Sequence, residues 1–242
     1  MRIARRLVFI AVLFTTLVAA GAGSAASEKA GGEDVAADFG SSFAPKTLSR
    51  ERSVPIALSL WGRITAPGGS HPPALSRLSV DAESLEFKIG NRPACRPPGR
   101  GPRLDVAGIR RACRASILGS GRIEVEVAFP DQNPIPVRSE LLVLKGDSHS
   151  GTDFIFGYLP APVTGQVLIP LRVKKAAGGG GIHLGASIPE IANGYGSITY
   201  FRLDFKRGVF RASCPHRALG MSISGIFPES NFGTATLLRN RC

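Results

Sequence analysis

The chain has 242 residues, carries 30 Lys and Arg against 18 Asp and Glu, and contains four cysteines. At 43% hydrophobic residues it can bury a sizeable core, which excludes a chain that is disordered throughout. One apolar run near the amino terminus, with none of comparable length after it, excludes a multi-span helical membrane protein.

Residues 1–26 read as a secretory signal peptide. Arg2, Arg5 and Arg6 form the positive segment, residues 7–20 the apolar one, and Ser24 and Ala26 hold the small-residue cleavage positions. A retained membrane anchor is the alternative, but Gly and Ser end the apolar run abruptly. Arg5-Arg6 is a twin arginine, yet Leu7-Val8-Phe9 after it fits general secretion better. Without residues 1–26, 216 residues remain with 27 basic and 18 acidic side chains, a net charge of +9. For an exported chain that charge points to an anionic wall polymer or lipid head groups, not to nucleic acid. The excess of Arg, Ala, Gly and Pro also fits a genomic base-composition bias with no binding role.

Residues 27–53 are small and polar, and read as a flexible leader. From residue 54 the chain reads as a single domain, 54–242. Ile56, Leu58, Leu60 and Gly62 alternate onto one face of a strand, with Trp61, the one tryptophan, on the other. A Pro/Gly loop containing His71 follows, then short strands at 75–80 and 85–89. Residues 104–116 are expected to hold one short helix, with Val106, Ile109 and Cys113 on its packed side. A Gly-Ser-Gly turn at 119–121 is expected to launch the next strand, where Ile123, Val125, Val127 and Phe129 alternate with Glu124 and Glu126. Further strand-like runs fall at 141–144, 154–159, 163–173, 182–188, 197–205, 210–214, 221–227 and 234–238, parted by turns such as Asn193-Gly194 and Lys206-Arg207-Gly208. The reading is all-β: an antiparallel β-sandwich with jelly-roll or immunoglobulin-like layering, with a β-barrel as the alternative.

Four cysteines allow three pairings, of which the sequence-local Cys95–Cys113 and Cys214–Cys242 are favoured. No C-x-x-C or H-x-x-x-H spacing points to zinc, and no metal or other cofactor is expected. The runs P-A-C…A-C-R-A-S-I-L-G-S-G-R-I-E-V-E-V, I-P-E-I-A-N-G-Y-G-S-I-T-Y-F-R-L and the Cys214–Cys242 tail resemble a family of exported, two-disulfide, β-rich proteins of high-GC Gram-positive bacteria. The resemblance spans most of 54–242. It implies the domain limits and the disulfides, and assigns no activity.

Among chemistry-bearing residues the strongest signal is basic. Arg96, Arg100, Arg103, Arg110, Arg111 and Arg114 surround the first cysteine pair with only Asp105 opposing them, so closure would gather guanidinium forks suited to phosphate or carboxylate. The expected function is therefore non-enzymatic binding of an anionic envelope polymer or partner surface. A carbohydrate-active or esterase-like hydrolase is the second reading, through Glu124 and Glu126 or through the polar loop from Asp147 to Asp153 with His149. That loop reads first as a hydrophilic turn. An apolar-ligand carrier is the third, if the strands enclose a cavity.

Overall fold

The computed structural model of the chain describes residues 26–31, 34–95, 105–147, 152–176, 180–229 and 232–242. They form thirteen strands: β1 (Ala26–Gly31), β2 (Ala36–Ala44), β3 (Val54–Thr65), β4 (Arg77–Glu83), β5 (Leu85–Phe87), β6 (Ile117–Val127), β7 (Ile135–Leu144), β8 (Thr152–Leu159), β9 (Gly165–Lys175), β10 (Gly181–Ser187), β11 (Gly196–Ala212), β12 (Ala218–Phe227) and β13 (Phe232–Arg241). The one α-helix among the described residues is α1 (Val106–Ala112).

All pairings are antiparallel, and twelve strands follow one path, β1-β2-β3-β11-β6-β7-β8-β9-β10-β4-β12-β13, with β5 added beside β11. β13, at the end of the path, packs back alongside β1 and β2, so the sheet is nearly barrel-shaped. The all-β expectation holds, and one continuous sheet fits the barrel alternative as well as layered packing. Period-two alternation places Ile56, Leu58, Leu60 and Ile64 of β3, Ile123, Val125 and Val127 of β6, and Phe201, Leu203 and Phe205 of β11 inside one core. At about 25 cal/mol per Å² of apolar surface removed from water, this continuous interior is the main source of stability.

On the outer side of the wall a smaller cluster forms beneath α1. Ile109 packs there with Cys95, Ile117, Leu142, Leu144 and Phe156, which explains why β7 and β8 are apolar on both faces. Asp105 caps the helix by accepting from the Gly108 N–H at 2.7 Å, and Arg110 and Arg111 occupy its last turn, where the helix dipole favours cations. Both expected disulfides form, Cys95–Cys113 and Cys214–Cys242.

Three expectations are corrected. Residues 27–53 do not form a flexible leader: β2 pairs along its length with β3 and buries Ala37, Phe39, Ser41 and Phe43, an alternation disguised by intervening small residues. The domain therefore starts before residue 54. Residues 119–121 are not a turn but part of β6, and a Cβ on Gly121 would stand 2.0 Å from the Arg202 carbonyl oxygen. Lys206-Arg207-Gly208 does not divide two strands. It is a bulge within β11, between Phe205 and Phe210 of the β3 register, with Gly208 at φ +91°. The predicted signal peptide, Ala26 apart, lies outside the described residues.

Candidate functional site

The predicted arginine surface lies where α1, the turn after it and the β11 bulge meet at one end of the wall. Arg96, Arg100 and Arg103 are outside the described residues. Arg110, Arg111 and Arg114 are all exposed. Arg110 pairs with Glu140 of β7. Neither Arg111 nor Arg114 forms an ion pair with a described residue. The disulfide brings Cys95 to Cys113, and the Cys95 N–H donates to the Lys145 carbonyl at 2.8 Å. Arg92, just before it, donates to the Ile117 carbonyl at 3.3 Å, while the Lys145 ammonium donates to the Arg92 carbonyl.

Lys206, which sequence reasoning assigned to a turn, joins this group. Burial, reinforced by the guanidiniums of Arg92, Arg110 and Arg114, pushes its ammonium below the ordinary lysine value. Repulsion from three arginines of two other segments thus acts at Lys206, a residue that is itself exposed. An arriving anion would relieve it. Because Phe205 pairs with Gly119, the bulge that carries Lys206 stands beside the start of β6, next to the helical turn.

A second constellation lies toward the other end of the same strands. The register sets Glu126 of β6 directly opposite Ser197 of β11, both turned away from the core that takes Val125, Val127 and Ile198. The loop after β3 folds back over this outer face and places His71 between them. Its Nδ1 is 2.9 Å from Glu126 Oε1 and its Nε2 is 3.0 Å from Ser197 Oγ. A cleft of about 320 Å³ is lined by Glu126, Ser70 and Pro72 together with Arg63, Arg122 and Tyr200. The two guanidinium groups lie 6.0 Å and 5.0 Å from the centre of the Tyr200 ring, and Arg122 also donates to the Tyr200 hydroxyl at 3.2 Å.

Glu124 and Glu126 both line that cleft, yet they act separately: Glu124 lies 3.3 Å from Arg138, whereas Glu126 meets His71. In the polar loop, residues 148–151, His149 among them, lie outside the described residues. Asp153 is a brace within the fold. It is buried and accepts from the Gly146 N–H at 2.9 Å, and burial raises its carboxyl above the usual range against that bond and the charge of Lys145. His183 pairs with Asp81 at 2.7 Å on an exposed strand face. Among the described residues no group of three or more His, Cys, Asp or Glu could hold a metal ion, and no helix is long and apolar enough to cross a membrane. The apolar cavity lined by Leu78, Ile123, Ile155 and Phe201 is about 30 Å³, far below the roughly 300 Å³ at which ligand pockets begin.

The chain matches no family model, and neither a curated protein nor a solved structure shows significant similarity to it.

Proposed function

We propose that the protein is exported to the cell envelope and binds an anionic envelope polymer through the cation cluster of Arg92, Arg110, Arg114 and Lys206, with Arg111 beside it. The observation that carries this reading is the gathering of those residues around the disulfide-clamped helix and the adjoining β11 bulge, where only Arg110 is offset by a carboxylate among the described residues. Guanidinium forks match the oxygens of phosphate or carboxylate, and a repeated anion offers many such groups in succession. Two disulfides fit an oxidising compartment.

Co-sedimentation of the oxidised protein with isolated cell walls, at low and high salt, tests the reading. Sedimentation at low salt that is lost at high salt, and lost at both in the Arg111→Glu/Arg114→Glu/Lys206→Glu protein, is the expected outcome. Parallel runs with phosphatidylglycerol vesicles separate a lipid surface from a polymer. Absence of sedimentation at either salt, or sedimentation indifferent to the charge reversal, would sink it.

A further inference from the structure

The hydrogen-bond chain Ser197–His71–Glu126 has the order and polarity of a nucleophile, a general base and an orienting acid. Its members come from a loop and two strands far apart in sequence, and such constellations are recognised by geometry rather than by sequence position. The Glu126 carboxylate at 2.9 Å fixes the imidazole proton on Nδ1. Nε2 is then an acceptor, 3.0 Å from Ser197 Oγ and positioned to take the hydroxyl proton. Both ring nitrogens are engaged, and the Glu126 end of the chain opens on the cleft.

In that cleft, Arg63 and Arg122 stand against Tyr200 and form no ion pair with a described residue, while Glu124 and Glu126 line the same cleft and the charge of Arg122 also reaches Asp204. The two guanidiniums suit an anionic group on whatever binds there. Ser197 itself is only 2% exposed, and of the three residues Glu126 alone lines the cleft, which limits any acyl group at the hydroxyl to a small one.

We propose that Ser197, His71 and Glu126 form a hydrolytic site for short-chain carboxylic esters carried on an anionic molecule. The Ser197 oxygen bonds to the ester carbonyl carbon as its proton passes to His71 Nε2. The ester C–O bond then breaks, and the departing alkoxide takes the proton from His71, leaving an acyl-serine. Water, deprotonated by the same Nε2, attacks that carbonyl, and its collapse releases the carboxylic acid and returns the proton to Ser197. No metal, oxidant or other co-reactant is required. The site lies nine residues from Lys206 along β11, roughly 30 Å at strand rise, and does not depend on the polymer-binding reading.

The test is covalent labelling of the oxidised full chain with a small fluorophosphonate, followed by peptide mapping. One adduct, on Ser197, is expected. Its rate should fall roughly a hundredfold or more in His71→Gln. Turnover of short acetyl esters should track the labelling and vanish in Ser197→Ala. Near-UV circular dichroism of each variant separates loss of chemistry from loss of fold, and the wild-type adduct map needs no variant at all. An unlabelled Ser197 in the folded wild-type protein would overturn the proposal, as would labelling at an unchanged rate in folded His71→Gln.

Discussion

Asn240, on the last strand, donates its side-chain amide to Ser41 Oγ on β2 at 2.8 Å, across the gap where the sheet comes round to meet itself. Both residues are buried. The bond ties together two strands that share no ladder, so the early and late segments of the chain stabilise each other directly.

Ser41→Ala should therefore destabilise more than its lost hydroxyl suggests. It leaves the buried Asn240 amide unpaired, which costs about 1–3 kcal/mol, whereas the double change Ser41→Ala/Asn240→Leu removes both polar groups together with their desolvation and should cost less. Denaturant unfolding of the two variants measures the difference. Equal losses would show that the Asn240 amide finds another partner once Ser41 is gone.

Much of this architecture was legible beforehand. Ile123, Val125 and Val127 against Glu124 and Glu126 announce a half-buried strand because the side-chain period is two, and the local cysteine pairs need no knowledge of the fold. β2 was not legible, because Ala37 and Ser41 dilute the alternation that Phe39 and Phe43 carry. The contact of His71 with Glu126 and Ser197 could not be read either. It depends on the β6–β11 register and on the course of a Pro/Gly loop, neither of which leaves a periodic trace. Lys206 was hidden for a related reason: Lys-Arg-Gly signals a turn, and only the β3 and β6 partners on both sides of β11 turn it into a bulge facing the helix.

Trp61 reports on the outer wall. It lies directly across from Gly40, where an added Cβ would come within 2.1 Å of the indole ring. Gly40→Ala should displace the ring, at a cost of about 1–3 kcal/mol, the range for forcing extra volume into a packed site. As the sole tryptophan, Trp61 should show a red-shifted emission maximum. Unchanged emission and stability would mean that the backbone of β2 yields instead.

Asp204 sets part of the acid dependence. Burial pushes its carboxyl up, but hydrogen bonds from Arg202 and Ser59, with the charges of Arg202 and Arg122, outweigh it and hold it below the usual range. A carboxyl depressed in the folded state contributes stability above its unfolded value, and that contribution is lost as pH falls through the folded one. Asp204→Asn should therefore flatten the stability profile below about pH 4, while lowering stability at neutral pH. Thermal melts from pH 7 to pH 2 provide the check, and parallel profiles for the two proteins would contradict it.

Lys206 has the opposite sign. Its ammonium, pushed below the ordinary value by burial and its arginine neighbours, disfavours the fold while charged, and stability recovers as pH rises through the folded value. Lys206→Gln should raise the melting temperature at neutral pH and low salt yet weaken sedimentation with cell walls. A residue present only for packing would not show that inverse pair of effects. Added salt should reduce the part of the thermal gain that comes from the arginine charges, because it screens that repulsion.

The Cys95–Cys113 bridge joins residues 18 apart, and in the chain-entropy model a loop of that size is worth roughly 3 kcal/mol. α1 has seven residues, well short of the length at which an isolated helix is stable in water. It therefore relies on the bridge and on its contacts with Leu142, Leu144 and Phe156. The inner core includes neither cysteine of the bridge. Replacing both by serine should leave the strand signature of the far-ultraviolet spectrum in place while amide exchange rises across α1. If α1 positions the arginines, wall binding should fall with it even though every basic side chain is retained. Binding that survives with α1 exchanging freely would show that the charge acts without a fixed geometry, as a disordered basic segment does.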